Sequence, residues 1–401
     1  RLASLNLKPL GCGPFAFASL KREASGVVKS ITLAANDRYY QGRPYLDTVT
    51  FKFYPDFGSL AQAAENKNIS AVSYLPLEAQ TQAKVSPNQG WRLWPLSLPQ
   101  YTAIFFNQEA SGALKDLKVR TALAQAIDRS AMIEQALAGQ AELADSPILA
   151  GMIGYTDDHS VWNYDLPAVT ALLDGAGWKA MTPNEFITWS RQQEQKAATD
   201  EQPFVDQSDE ERLAALGGQE YFRMKSNQPL TVNLTVVNQS ESAAVGQFIQ
   251  RAWQAVGVQT IITTVAPEQI RREVIKPRRY GALLYSEIVG ADPDPYAFWH
   301  SSQAVDPGLN LARYSNRKVD KLIDEARATT DPAVRQAKYQ ELATLLTADV
   351  PAVFLYRPLY PYWVSDRIKG VTADQVAVPA DRLLDLPQRY IATKRGWRSA
   401  P

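Results

Sequence analysis

The chain has 401 residues, too many for one ordinary core, so two lobes are expected. Apolar residues make up 45% and charged residues 21%, the profile of a globular protein, and 42 basic against 42 acidic residues give no electrostatic case for nucleic acid or an anionic membrane. The single cysteine, Cys12, excludes an intrachain disulfide. The most hydrophobic late stretch, 345–364, is broken by Asp349, Pro351, Arg357, Pro358 and Pro361 and cannot span a bilayer.

Residues 27–54 read as two strands about a turn: Ile31 and Leu33 alternate with polar neighbours, 36–44 supplies turn chemistry, and Val49, Phe51 and Phe53 alternate again. Ala103 to Phe106 is an apolar strand ending at Asn107. Val119, Leu123, Ala126 and Ile127 recur on one face of a helix. Asp165 caps a helix with Pro167 in its first turn, Leu172 and Leu173 inward, and Gly177 closing it. Residues 180–228 crowd charged and amide side chains and read as an inserted surface excursion, partly helical, solvated and mobile.

Leu230, Val232, Leu234 and Val236 alternate as a half-buried strand does. A helix follows with Val245, Phe248, Ile249, Ala252 and Val256 on one stripe, Gly257 ends it, and Val258 to Val265 returns as a strand. This is a strand–helix–strand unit, expected to be a parallel crossover. Val319, Leu322, Ile323 and Ala326 mark another amphipathic helix. Asp331 then caps a helix with Pro332 first and Tyr339, Leu342 and Leu346 inward.

The richest stretch runs from Tyr280 to Leu311. Its apolar run Ala282-Leu283-Leu284-Tyr285 is a buried strand that Gly290, Pro293 and Pro295 bring to an end, and the loop beyond carries Asp292, Asp294, Tyr296, Phe298 and Trp299. Ligands of open α/β sheets sit beyond the carboxyl ends of strands, so a ligand is expected here. No HExxH, GxSxG, P-loop or strand-linked GxGxxG is present. Asp292 and Asp294, two residues apart in a proline-locked turn, are poorly placed to flank a glycosidic bond.

Seven blocks, in order, resemble the family 5 extracellular solute-binding proteins, the oligopeptide, dipeptide and nickel receptors of ABC importers. They are Gly11-Cys12-Gly13-Pro14-Phe15; Asn36-Asp37-Arg38-Tyr39-Tyr40 with Pro44-Tyr45-Leu46-Asp47; Val119-Arg120 through Ala126-Ile127-Asp128-Arg129; Ala176-Gly177-Trp178; Asp294-Pro295; Val319-Asp320 with Leu322-Ile323; and Lys369-Gly370-Val371. The resemblance implies an α/β, two-lobed type II periplasmic-binding-protein fold of the large peptide-binding class. Members carry well over a hundred residues before the first block, so a C-terminal fragment is expected, with lobe I incomplete (1–104 and 356–401), lobe II complete (107–353), and hinge strands near 104–107 and 353–356.

The function so implied is capture of oligopeptides in an interlobe cleft and their presentation to ABC permease subunits, without chemistry and without a cofactor or metal. The protein is expected outside the cytoplasm, a monomer, touching a membrane only through a lipid anchor or the permease. Oligosaccharides, opines and nickel chelates are alternatives within the family; a ligand-free scaffold and a carboxylate-pair glycosidase are alternatives outside it.

Peptide-binding members pair ligand backbone with strand edges, which makes the backbone of Glu287, Ile288, Val289 and Gly290 the expected contact. Asp292 is the candidate for a peptide α-ammonium, against a capping role for Asp292 and Asp294 beside their prolines. Tyr296 and Trp299 either line a pocket or pack in the core, and Tyr101 and Tyr356 lie near the expected hinges and could face the cleft. Neither histidine, His159 or His300, is expected to hold a metal; His300 is set down to local hydrogen bonding in its Trp-His-Ser-Ser loop, and Cys12 to a buried, inert thiol.

Overall fold

Short acidic and amide side chains set where this chain turns into helix. Asp56, Asp116, Asp128, Asp165, Asn316 and Asp331 each accept a backbone N–H at the start of a helix. The computed structural model describes residues 8–156, 162–199, 204–290, 292, 294–372 and 376–391, so the reading of His159 lies outside the described residues. The chain divides into two compact units: unit 1 comprises Arg1–Leu98 with Leu359–Pro401, and unit 2 comprises Pro99–Pro358.

Unit 1 opens with an antiparallel meander of β1 (Phe15–Arg22), β2 (Val28–Ala35) and β3 (Thr48–Lys52) in that spatial order. Helix α1 (Phe57–Glu65), β4 (Ala71–Ser73), α2 (Leu77–Gln82) and β5 (Trp91–Ser97) follow, and Ala61, Ala64, Val72, Leu75 and Trp91 form a core. Cys12 corrects one expectation. It is exposed, because the turn leading into β1 is a surface segment.

Unit 2 begins with β6 (Gln100–Phe106), α3 (Leu117–Gln125), α4 (Arg129–Leu137), β7 (Ala141–Leu143) and α5 (Leu166–Gly175). The apolar stripe at 119–127 is not one helix: Asp128 caps a new one, so Ala126 and Ile127 are buried in the joint. Next come β8 (Lys179–Met181), α6 (Pro183–Ala197), α7 (Asp209–Ala215), β9 (Phe222–Lys225) and β10 (Gln228–Pro229). This is the stretch read as a solvated excursion. Its strands make a sheet in the order β10-β9-β8, and Phe186 stacks on Phe222 with ring centroids 3.8 Å apart in a core that includes Met224. Arg212 holds Glu194 at 2.8 Å, and Arg223, 2% exposed, donates to the carbonyls of Val256 and Trp178 and to Asp174. Few apolar residues suffice because buried arginines carry part of the packing.

The expected crossover is present as β11 (Thr231–Val237), α8 (Ser240–Gln254) and β12 (Gln259–Val265), with β11 and β12 parallel from Thr231↔Gln259 to Val237↔Val265. Thr235 and Val237 are buried along with Leu234 and Val236, so the end of β11 is covered on both faces rather than half-buried. The remaining elements are β13 (Ala282–Ile288), α9 (Tyr296–Trp299), α10 (Arg317–Ala328), α11 (Pro332–Asp349) and the long β14 (Ala352–Ser365). Within unit 2 the strand order is β12-β11-β13-β6-β14, with β7 also on β14. The later half of β14 belongs to unit 1, where it pairs with β4 and β5, and β15 (Ile368–Lys369) pairs with β16 (Tyr390–Ile391).

Arg120 shows how the first helices are held. Its guanidinium is buried and donates to four carbonyls: Leu114 at 2.8 Å, Lys115 at 2.9 Å, Asp349 at 2.7 Å and Val350 at 3.0 Å. The last two are at the C-terminal end of α11, where a cation meets the negative end of the helix dipole. Burial lowers the pKa of Arg120, opposed by the charges of Asp349 and Asp116. We expect Arg120→Leu to lower stability by about 3 kcal/mol, since it leaves buried carbonyls unpaired. Lys321→Ala on the solvent face of α10 should change it by less than about 0.5 kcal/mol. Urea unfolding of both variants checks the contrast.

Candidate functional site

Strand β13 outruns its apolar stretch by Ser286, Glu287 and Ile288, and its two neighbours treat that extension differently. β6 accompanies it throughout, from Ala282↔Phe106 to Ile288↔Gln100. β11 lies beside it only at Ala282, Leu283 and Leu284. Asn107 N–H donates to Gly281 O at 2.8 Å and Val289 N–H to Pro99 O at 2.9 Å, so odd-numbered positions turn their main-chain groups to β6. Even-numbered positions turn to the other side, where Ala282 and Leu284 meet β11. Ser286 and Ile288 therefore present N–H and C=O groups on an edge that no described strand pairs.

The two faces of this strand end differ as well. On one, Ile288 is 70% exposed, and the Ser286 hydroxyl meets the Thr102 hydroxyl at 2.8 Å. Thr102 is in turn opposite Tyr356 of β14, whose phenol burial pushes up to about 12 while a hydrogen bond with Thr102 opposes that rise. On the other face Glu287 is buried and accepts from Tyr101 Oη at 2.5 Å. The Tyr101 ring is 5.2 Å from Phe354, and Phe354 is 5.7 Å from Trp299. Glu287 Oε1 and Trp299 Nε1 have no hydrogen-bond partner among the described residues. Burial raises the Glu287 pKa to about 8, against the lowering influence of the Tyr101 hydrogen bond and the charge of Arg278.

Beyond β13, Gly290 takes φ +77°, a left-handed turn that suits glycine. The carboxylates that follow are held by arginines of two helices: Asp292 by Arg335 of α11 at 2.8 Å, and Asp294 by Arg327 of α10 at 3.1 Å. Asp294 also accepts from Tyr296 N–H at 3.1 Å, a capping contact. Tyr296 lies under Arg327, 4.2 Å from its guanidinium carbon, and beside the His300 ring at 4.7 Å. Asn310, fully buried, ties the loop through Tyr314 N–H at 3.0 Å, Tyr314 O at 2.8 Å and His300 O at 3.2 Å. Arg278 donates to the carbonyls of Ala304, Ile275 and Gly308.

The candidates named from sequence thus separate into groups. Glu287, Tyr101 and Trp299 come together as a buried cluster, and Tyr101 and Trp299, at 0% and 1% exposure, offer a ligand no surface in this conformation. Ile288, Val289 and Gly290 follow at the surface. Asp292 and Tyr296 sit against the arginines of α11 and α10, and Tyr356, buried, pairs with Thr102 across β14 and β6. Ser286 and Thr102 were not singled out. The signal for Ser286 was available in the alternation of a strand, since Ile288 and Ser286 share one edge. Thr102 needed the register between β13 and β6.

A model of the bacterial extracellular solute-binding proteins, family 5 Middle, matches residues 2–308. The oligopeptide-binding protein AppA of Bacillus subtilis is 29% identical over 371 residues, which are 90% of this chain and 59% of AppA. Its solved structure, in complex with a nonapeptide, superposes with a TM-score of 0.64 at 24% identity over 96% of this chain and 68% of that one. NikZ from Campylobacter jejuni, solved in complex with Ni(L-His), gives a TM-score of 0.66 at 19% identity over 96% and 69%. The chain belongs to the family 5 bacterial extracellular solute-binding proteins and has their type II periplasmic-binding-protein fold. It spans about three fifths of the length of AppA.

The Glu287 carboxyl makes a pH prediction. A carboxyl whose folded pKa is raised favours the folded state fully below its unfolded value near 4.3, and loses that contribution as pH rises to about 8. Stability should fall across this window by up to about 1.4 kcal/mol per pH unit and level off above it. Glu287→Gln, which stays neutral, should flatten the profile between pH 5 and 8. Urea midpoints at pH 5, 6.5, 8 and 9 for both proteins check this; parallel profiles would refute it.

Proposed function

We propose that this solute-binding protein is the substrate-binding component of an ABC importer and that its ligand is an oligopeptide held by main-chain pairing along the end of β13. The observation that carries the reading is the open edge at Ser286 and Ile288, which ends at the Gly290 turn. An extended peptide laid there gains hydrogen bonds that do not depend on its side chains, which suits a receptor for mixed sequences. The Ser286–Thr102 hydroxyl pair and the exposed Ile288 flank that edge and add a polar and an apolar contact. Asp292, 70% exposed at its side chain, keeps a carboxylate beside the strand end where a peptide's α-ammonium could exchange with Arg335.

Nothing here calls for bond-making. Asp292 and Asp294 are each paired with an arginine on a different helix, an arrangement for anchoring a loop rather than for sharing a reacting bond. The family acts outside the cytoplasm, and no helix among the described residues is long and apolar enough to cross a membrane. Delivery to permease subunits, a lipid anchor and a monomeric state belong to the same proposal.

Mass spectrometry of small molecules released from the protein purified from its native host tests the ligand class: a mixture of short peptides is expected, and a single glycan or a nickel complex overturns the reading. Hydrogen exchange then tests the site. Added peptide should slow the amides of Ser286 and Ile288. Ile288→Pro should weaken binding at least about tenfold by removing an edge donor, while Ile288→Ala, which keeps the donor, should change it less than about threefold.

A further inference from the structure

The end of β13 is the narrowest part of its sheet. β11 leaves β13 after Leu284, and on the far side of β6 the pairing with β14 runs from Phe105 to Thr102 and stops. At Glu287↔Tyr101 and Ile288↔Gln100 only β13 and β6 remain together among the described strands. A two-stranded ribbon is marginally stable in water by itself, so side chains have to hold this one closed. Beyond Ile288 the ribbon pairs once more, Val289 N–H to Pro99 O at 2.9 Å, and the chain turns away at Gly290.

Tyr101 and Glu287 supply the hold. They are directly opposed at a position where the main-chain groups of β13 turn to β6, and the Tyr101 hydroxyl also donates to Glu287 Oε2 at 2.5 Å. The two residues are 0% and 4% exposed, and the Tyr101 ring packs on Phe354 of β14, which Trp299 of α9 joins. Glu287 Oε1 has no hydrogen-bond partner among the described residues. The ionisable groups that face the carboxyl are Tyr101 from β6, Tyr280 and Arg278 from the segment before β13, and Tyr285 on β13 itself. Arg271 and Arg313 act on Tyr285 and Tyr280. Arg278 is the cation that acts on Glu287, yet all three of its guanidinium nitrogens donate to carbonyls, those of Ala304, Ile275 and Gly308. Burial holds the three phenols above their ordinary range, so they stay protonated where a carboxyl ionises.

We propose that the proton of Glu287 is a clasp on the binding edge: while it is present the ribbon stays closed and presents Ser286 and Ile288, and its loss lets the end of β13 part from β6. Desolvation drives the opening. A carboxylate at this position reaches water only by leaving Tyr101 and the Phe354–Trp299 face, and Glu287 is the residue between the two that form the edge. The raised pKa of Glu287 gives the direction: the closing contribution is complete below the unfolded value near 4.3 and is lost as pH rises to about 8. Ligand capture is therefore strongest in acid and fades through neutrality. That consequence rests on the oligopeptide reading above; the clasp does not.

Amide hydrogen exchange of the 401-residue chain at low urea tests the clasp with no ligand present. With intrinsic exchange rates divided out, protection of Glu287 and Val289 should fall roughly 50-fold between pH 6 and pH 8, and Glu287→Gln should hold it within about threefold. Leu283, flanked by both β6 and β11, should stay at least about tenfold better protected than Val289 at pH 8. Tyr101→Phe keeps the ring, removes the hydroxyl, and should lower protection of the same two amides at least about tenfold at pH 6. A flat wild-type profile, a slope retained in Glu287→Gln, or exchange of Glu287 and Val289 only through the global unfolding that frees Leu283 overturns the proposal. Calorimetry with tetraalanine tests the consequence for capture. Wild-type affinity should fall from pH 6 to pH 8 at least about threefold further than that of Glu287→Gln, since the peptide's α-ammonium titrates alike for both. Equal binding profiles overturn the control of capture. Tetraalanine binding to neither protein at either pH counts against the peptide ligand, and the exchange result then decides the clasp.

Discussion

Main-chain donors and acceptors removed from water have to be paired, and in this protein the places where pairing stops are as informative as the places where it holds. β13 is paired along its whole length by β6 and for only three residues by β11. That unequal escort leaves Ser286 and Ile288 with main-chain groups that no described strand pairs, at the carboxyl end of two parallel strands. β3 and β4 likewise each keep one edge that no described strand pairs, beside a cavity of about 650 Å³ in unit 1.

Around these edges, arginines perform the task that apolar contacts perform elsewhere. Arg120, Arg223 and Arg278 are each at least nine-tenths buried, and each donates to three or more groups, mostly carbonyls. A guanidinium can satisfy several carbonyls at once in a fixed plane, so one side chain fastens a loop that lacks regular pairing. Arg335 and Arg327 do the same for the loop after β13 through Asp292 and Asp294. The carboxylates that look most chemical in the sequence are, in the fold, partners of these cations. Glu287 differs: it is buried against a phenol with no described cation in contact, and that burial raises its pKa to about 8.

Much of the architecture was legible because it rests on local rules. The caps at Asp165 and Asp331, the stripe of α8 and the parallel β11–β12 pair follow from short-range chemistry and period, and all are present. The split between α3 and α4 was hidden because the apolar positions continue through Ala126 and Ile127, and only the Asp128 cap breaks the helix. The core of residues 179–229 was hidden for another reason: Phe186, Phe222 and Met224 are far apart in sequence and sparse among charges, so no window of the chain shows them as a cluster.

The sequence by itself determined the family, the strand at 282–285 and the loop after it, because these depend on residue type and near-neighbour spacing. It could not decide which residues of that stretch are reachable. Trp299 and Tyr101 have the chemistry of pocket walls, but packing against Phe354 and Phe105 buries both. Ser286, unremarkable as a letter, became a binding candidate once the register with β6 and the early end of β11 were known. Register and burial arise from contacts between distant segments, and a strand's alternation is the same whichever edge its neighbours leave open.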